Sequence, residues 1–516
     1  MEIFFKMVFC LAMMLCATAF STGEKTKQPF NVLYLMADDM NSSVGFITGS
    51  GLKAQTPNLD RLAAMGVTFD QAQVACPICN PSRVAALSGI APHHSGVYFL
   101  HQLCRDAPRL KEHVFLPQYF RRHGYRTEAS GKIYHGWEPR HIWSDDTSGH
   151  DLSWDHVYPK YPWLKPLGAD SGKYARGTVA GGIDGVWPEY AAMGLDKKSD
   201  LMVAGRAACI STGDTVQDED MADYKQARDI ARRLADEHAV PFFLAYGCFR
   251  PHAPWYVPKK YLDMYPLESI DLPAAPLNDM DDIPSYAIKN FANDPALIAA
   301  CDPEKYVGAK NFFRDILQKD PEAWRRFVQA YLASITFSDH CLGLVIDAWQ
   351  NSAYRDNTIV SFWSDHGFHW GEKQHTRKWT LWDNATRTPF ILVGPGIEPG
   401  RVCKTPVSIL DLYPTLVDLA GLPTKEDVDG HSLMSLLQDV HANWPYPAVT
   451  TTSPGNSSVR FGKYKYIRYA DDSEELYDMQ QDPREYTNLA ANPEYDGLIR
   501  TMKAHLPNEY ASEHFK

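Results

Sequence analysis

Three short stretches of this 516-residue chain carry side chains able to do chemistry. The run Cys79-Asn80-Pro81-Ser82-Arg83, continuing to Gly89, sets a sulfur and a guanidinium near the start of a predicted helix, where free backbone N–H groups favour an anion. Asp38-Asp39 and Asp365-His366 each follow a short apolar run. Carboxylate oxygens with little sulfur suit a hard divalent cation, calcium or magnesium. Taken singly, a cysteine is most often a buried packing residue and an acidic pair a turn or a helix cap. Two such pairs, Asp38-Asp39 and Asp365-His366, each behind a buried strand, are what argue for a site.

The eleven residues from Cys79 to Gly89 read Cys-x-Pro-Ser-Arg-x-x-x-Leu-Ser-Gly, which resembles the signature of the sulfatase family. The resemblance implies that Cys79 is oxidised to formylglycine (3-oxoalanine) by a formylglycine-generating enzyme, giving a hydrated aldehyde with two hydroxyls on one carbon. It implies a metal site of Asp38, Asp39, the modified Cys79, Asp365 and His366, with Ca2+ expected and Mg2+ the alternative. Many members carry asparagine where His366 stands. The family pattern also maps Lys132 and His135 from GKIYHG, His252 from RPHAPW and Lys378 from HTRKW. On that mapping the lysines hold sulfate oxygens and neutralise charge in the transition state. His252 protonates the departing sugar oxygen, His135 takes a proton from the second hydroxyl, and Arg83 holds the hydrate. The implied reaction is sulfuryl transfer in two steps, in which one hydroxyl attacks sulfur and the other expels sulfate as the carbonyl re-forms.

Finer details are similar to iduronate 2-sulfatase and its bacterial relatives. Two residues separate Lys132 from His135, histidine follows Asp365, and YPLESI (Tyr265 to Ile270) follows the RPHAPW loop. This implies a sulfated saccharide as substrate, with a 2-O-sulfated uronate among the candidates. Two other readings stay open: a phosphonate monoester or phosphodiester hydrolase on the same fold, and a non-catalytic glycan-binding homologue. His369, Trp370, His375 and Trp379 are candidate sugar contacts, alongside a Gly-, Pro-, Trp- and Tyr-rich stretch from Trp137 to Gly213 read as loops over the site.

The elements that must position these residues follow from apolar patterning. Asn31 to Met36, Pro241 to Tyr246, Thr358 to Trp363 and Phe390 to Val393 read as buried strands, and Tyr125 to Ala129 as another. Helices are expected from Pro57 to Met65 with Gly66 as its C-cap, from Asn80 or Pro81 to Ser88, from Leu116 to His123, from Val216 to His238 and from Pro321 to Asn351. The alternation predicts an α/β fold: a large domain with a mainly parallel central sheet flanked by helices, ligands lying beyond the carboxyl ends of its strands. The resemblance names this fold alkaline-phosphatase-like. After Gly421, Ala448 to Ser453, Ser458 to Phe461 and Lys463 to Tyr469 read as antiparallel strands with a turn at Gly462. The segment Glu475 to Ala490 (ELYDMQQDPREYTNLA) is similar to the closing segment of many sulfatases, and a last helix is expected near Glu494 to His505. The expected division is a signal peptide at 1–19, a catalytic domain at 28–440 and a smaller α+β domain with an antiparallel sheet at 441–516.

Composition sets the remaining bounds. A net charge of −12 argues against nucleic acid as a partner, though a local cluster of lysines, arginine and metal can still take a small anion. Met7 to Phe20 is apolar but too short to span a bilayer, and Ala17-Thr18-Ala19 offers a small-x-small cleavage site, so export to the periplasm or medium is expected with no integral membrane segment. Cys10 and Cys16 fall at this leader. The other eight cysteines are irregularly spaced, which argues against a disulfide framework or a zinc cluster.

Overall fold

The structure, a computed structural model, describes residues 29–48, 51–135, 153–157, 217–253, 255, 257–291, 311–315 and 317–513. The expected leader, most of the 137–213 stretch, Cys209 and Cys301 lie outside the described residues.

At the centre runs the strand Asn31–Ala37, apolar in every position but the first and buried throughout. Such a strand needs cover on both faces, and it has it. It pairs in parallel with Phe242–Cys248 on one side and Thr358–Ser364 on the other. The eight-stranded sheet continues from Phe242–Cys248 to Arg126–Gly131 and His156–Val157, and from Thr358–Ser364 to Phe390–Val393, Val67–Phe69 and Arg401–Cys403. One strand breaks the parallel order: Phe390–Val393 runs antiparallel to both neighbours.

Alternate side chains of the central strands feed two cores. Leu33, Leu35, Leu244, Val360 and Phe362 pack under the thirty-residue helix Pro321–Gln350 and the helices Ala222–Arg233 and Pro57–Ala63. Val32, Tyr34, Met36, Phe243 and Trp363 pack on the other face under Cys79–Ser88, Leu116–Arg122 and Leu412–Leu419. Asp320 caps the long helix, accepting the Ala323 N–H at 3.0 Å, with Pro321 at its first turn.

Some element boundaries differ from the sequence reading. The expected helix from Val216 to His238 is shorter, Ala222–Arg233, preceded by a separate 3-10 turn at Asp218–Asp220. Gly66 does not cap a helix: a Cβ there would collide with the Leu392 carbonyl, so glycine is needed for close approach to the neighbouring strand. The three-residue strands Val67–Phe69 and Arg401–Cys403 have no counterpart in the sequence reading.

The C-terminal region forms a four-stranded antiparallel sheet, Ala448–Ser453, Asn456–Phe461, Tyr464–Arg468 and Glu474–Asp478. Val459, Tyr466 and Leu476 on one face pack against Ile499 and Met502 of the final helix, Asp496–Lys503. Ile467, Tyr469 and Tyr477 on the other face pack against Leu381 and Trp382. The small sheet thereby buttresses the loop that carries Lys378. The six described cysteines outside the leader are all buried free thiols. Among the described residues no helix is long and apolar enough to cross a membrane.

Candidate active site

Strand register brings the chemistry together. Ala37 pairs with Ser364 on one side and Cys248 on the other, and Gly131 pairs with Gly247, so four parallel strands end at one level. The next residues are Asp38-Asp39, Asp365-His366, Phe249 leading to His252, and Lys132 leading to His135. Gly131 and Gly247 make the approach tight: a Cβ on Gly131 would strike the Gly247 carbonyl, and one on Gly247 the Lys132 carbonyl. Lys132 N–H donates to the Gly247 carbonyl at 2.7 Å, which fixes the turn carrying that lysine.

Cys79 is the first residue of a wholly buried helix whose C-terminus is closed by Gly89 at φ +71. Its position at the N-terminus places unpaired N–H groups and the positive end of the helix dipole behind the sulfur. Lys378 Nζ lies 3.0 Å from Cys79 Sγ and His366 Nε2 lies 3.3 Å from it. Burial alone would raise the thiol pKa, but Lys132, Lys378, His366 and a hydrogen bond from His135 hold it well below the usual thiol range. The pocket around residue 79 thus favours an anion.

Arg83 is one helical turn further and has no exposed surface. Its Nε donates to Asp365 Oδ2 at 2.8 Å and its Nη1 to the Ile133 carbonyl at 3.1 Å, while Nη2 stands 3.4 Å from Asp38 Oδ1. One guanidinium therefore ties together three of the four strand ends. Asp38 also pairs with Lys132. Burial and the Cys79 sulfur act to raise its pKa, but Lys132, His252 and Arg83 keep its carboxyl well below the ordinary range. Lys378 pairs with Asp39 at 2.5 Å; burial disfavours its charge, yet Asp39 and Cys79 hold its pKa above the ordinary lysine value.

The donor set fits a divalent cation. Asp38, Cys79, Asp365 and His366 each offer an atom within 4.8 Å of the others, as do Asp38, Asp39, Cys79 and His252. Asp38 Oδ1 is buried and accepts no hydrogen bond. His366 Nδ1 lies 3.0 Å from the Gly367 carbonyl, so it carries the proton there and turns Nε2 to the cluster, the arrangement expected of a metal-binding imidazole. All five residues proposed from sequence as ligands (Asp38, Asp39, Cys79, Asp365 and His366) therefore lie together.

Two histidines face the same space. His252 Nδ1 sits 2.5 Å from the Ala253 carbonyl and its ring leans on Phe249 at 4.6 Å, leaving Nε2 for proton transfer. His135 hydrogen-bonds to Cys79, and burial lowers its pKa below the usual imidazole value. Burial thereby biases its imidazole toward the neutral form.

The model of the sulfatase family matches residues 30–422. The chain belongs to the sulfatase family. A second family model, N-sulphoglucosamine sulphohydrolase, C-terminal, matches residues 371–512. A sulfatase of Formosa agariphila is 33% identical over 98% of this chain and 92% of its own length. Iduronate 2-sulfatase of Mus musculus is 30% identical over 80% of this chain and 72% of its own, and choline-sulfatase of Rhizobium meliloti 28% identical over 90% and 83%. Among solved structures, a protein in complex with its substrate D-glucosamine-2-N,6-O-disulfate matches with a TM-score of 0.66 at 20% identity, covering 92% of this chain and 96% of that one. The phosphonate monoester hydrolase of Agrobacterium radiobacter matches with a TM-score of 0.67 at 20% identity over the same shares. These structural likenesses show the alkaline-phosphatase-like fold. With a family model across most of its length and named sulfatases as relatives, this sulfatase is a sulfuric ester hydrolase, and a non-catalytic glycan-binding role is set aside.

Sequence reasoning missed two supports of this sulfatase's centre. Tyr331, buried in the long helix, donates its hydroxyl to the Asp39 carbonyl at 2.5 Å and accepts the Asn41 N–H at 2.9 Å, holding Asp39 in a left-handed conformation at φ +64. Ser82 donates to the Asp365 carbonyl at 2.5 Å. Tyr331 gives no distinct signal in the sequence, since Ser334, Thr336 and Ser338 are buried hydroxyls on the same helix. Of the four suggested sugar contacts, His369, Trp370 and His375 prove to be buried packing residues. His369 bonds Thr380 at 2.8 Å, Trp370 packs on Tyr331, and His375 bonds the Lys378 carbonyl at 3.0 Å. Trp379 remains half-exposed.

Proposed function

We propose that this sulfatase removes sulfate from a sulfated saccharide, with formylglycine derived from Cys79 as nucleophile. The observation that carries the reading is the convergence of Lys378, Lys132, His366 and a helix N-terminus on the Cys79 sulfur, which stands in for a hydroxyl of the hydrated aldehyde. A cation held by Asp38, Asp39, Asp365, His366 and residue 79, calcium in our reading, would act as a Lewis acid on the bound oxygens. Lys132 and Lys378 orient the sulfate by its oxygens and offset the charge that builds on them. His252, its ring fixed by the Ala253 carbonyl, presents Nε2 to protonate the leaving sugar oxygen. His135, whose burial disfavours the imidazolium, accepts the proton of the remaining hydroxyl. Arg83 keeps the hydrate, Asp38 and Asp365 in register.

The relatives named for iduronate 2-sulfation sites support a uronate-containing substrate, and the expected division into 1–19, 28–440 and 441–516, with export and maturation by a formylglycine-generating enzyme, belongs to the same reading. Peptide mass analysis across residue 79 combined with sulfate release from defined sulfated oligosaccharides tests it. We expect an aldehyde at residue 79, sulfate from at least one saccharide, and none from Cys79→Ala with its unfolding transition unchanged. A native thiol at residue 79 in fully active enzyme would sink the nucleophile assignment. Faster cleavage of a phosphate diester or phosphonate monoester than of any sulfate would favour the other hydrolase reading.

A further inference from the structure

Beside the anion pocket lies an aromatic stack that the reaction itself does not use. Phe99 stacks on Trp379 with ring centroids 5.5 Å apart and planes 26° from parallel, and on its other neighbour His101 at 5.9 Å and 10°. Phe99 and Trp379 are half-exposed and His101 is exposed, unlike the buried His369, Trp370 and His375. The stack is tied to the nucleophile from both sides. Asn80, next to Cys79, donates from Nδ2 to the Phe99 carbonyl at 2.9 Å and to the Gln102 carbonyl at 2.8 Å. Trp379 directly follows Lys378 and its N–H donates to the Pro77 carbonyl at 3.1 Å.

The backbone of Trp379 adds an independent observation. It is left-handed, at φ +74, and so is Arg377 at φ +79. For a bulky residue this is a true outlier, and such strain persists where the surrounding structure holds a side chain in place for use. The ring packs against the cluster that holds Leu381 and Trp382, yet is left partly in solvent.

We propose that Trp379, propped by the stacked rings of Phe99 and His101, forms a shelf that takes the apolar face of a pyranose ring of the sulfated substrate, next to the sulfate held at Lys378. The near-parallel rings decide the ligand class. Rings stacked on one another leave a flat outer face backed by a second ring, which suits a flat-lying sugar ring, whereas a trimethylammonium group is recognised by ring faces that surround it. The inference rests on the saccharide reading above and sharpens it.

The test uses the mature holoenzyme with a sulfated disaccharide that it turns over. Trp379→Ala is expected to raise KM about tenfold, equivalent to about 1.4 kcal/mol of binding, with kcat changed much less, and Phe99→Ala to act in the same direction. Trp379→Phe should recover most of the loss, because a ring face suffices. In the Cys79→Ala background, calorimetric binding of the same disaccharide should weaken by a like factor on adding Trp379→Ala, which separates binding from turnover. Unchanged KM and unchanged binding in Trp379→Ala, with wild-type saccharide turnover intact, would overturn the shelf and leave the proposed function standing. Turnover of choline sulfate with none of any saccharide would instead overturn the saccharide reading, and the shelf with it.

Discussion

Lys465 Nζ lies 3.2 Å from Glu485 Oε1, the lysine side chain fully buried and the glutamate 4% exposed. The same ammonium donates to Thr386 Oγ1 at 3.0 Å and stands 3.7 Å from Asp383 Oδ1, while Glu485 Oε2 accepts the Asp383 N–H at 2.8 Å. On the other flank of Lys378, Lys373 donates to Asp279 at 2.8 Å and also to the Glu485 carbonyl. Glu485 lies in the closing segment read from sequence, and this gives that segment a physical role. It anchors both ends of the loop that delivers Lys378, a loop in which Lys373, Gln374, Arg377 and Trp379 all have positive φ.

Removing Lys465 takes from this network the cation that stands nearest to both Glu485 and Asp383. Lys465→Met is therefore expected to cost about 3–5 kcal/mol in unfolding free energy, the range for breaking a buried pair by one partner. The double variant Lys465→Met, Glu485→Gln should be less destabilised than the single one, since it removes a stranded charge. Denaturant unfolding measures both. A single variant losing less than about 1 kcal/mol would show the network to be solvated.

In the proposed mechanism His252 acts on the leaving group, so its removal should discriminate between esters. His252→Ala is expected to slow release from a sugar sulfate by about 10²–10⁴-fold, the usual contribution of a general acid. Hydrolysis of 4-nitrophenyl sulfate, if accepted, should fall far less, because nitrophenolate departs without a proton. Equal losses on both esters would remove His252 from the acid role.

The contrast between what sequence revealed and what it hid is physical. Continuous apolar runs such as Asn31 to Met36 and Thr358 to Trp363 must be buried on both faces, and that alone places Asp38 and Asp365 at strand ends. The direction of Phe390–Val393 was not legible, because residue pattern reports burial and not polarity of the chain. Val67–Phe69 and Arg401–Cys403 are too short to show a period. Aromatics and histidines near a site look alike whether they pack or bind, which is why sequence alone offers His369, Trp370 and His375 as candidate contacts without separating the two roles. The left-handed backbone at Trp379 had no signal, since it is glycine and asparagine that ordinarily mark such positions.

Metal binding can be read apart from turnover. A ligand present at about a hundredfold over its Kd stabilises the native state by about 2.7 kcal/mol. Calcium added to chelator-treated protein is expected to raise the unfolding transition accordingly and to restore sulfate release. Asp365→Asn, which also removes the charge 2.8 Å from the Arg83 guanidinium, should abolish the calcium-dependent rise. An equal rise in the variant would place the cation elsewhere.

A buried imidazole away from the centre should shape stability against pH. His113 Nε2 lies 2.7 Å from the Ser88 carbonyl, and its side chain is only 3% exposed. Burial, then Lys425, Arg105 and Arg109, lower its pKa from 6.5 to about 4. Asp427, 3.3 Å from Nδ1, is itself 56% exposed and does not offset this. Between pH 6.5 and about 4 the unfolded chain takes up a proton at this ring that the folded chain refuses. Unfolding free energy therefore rises with pH through that window, and the contribution is fully present above it. His113→Gln keeps a donor for the Ser88 carbonyl and removes the titration. The stability gap between wild type and variant is expected to be largest at pH 7 and to narrow by about 1–2 kcal/mol toward pH 4, measured by denaturant unfolding at each pH. A gap that stays flat or widens as pH falls would mean that the folded state protonates His113 as readily as the unfolded one.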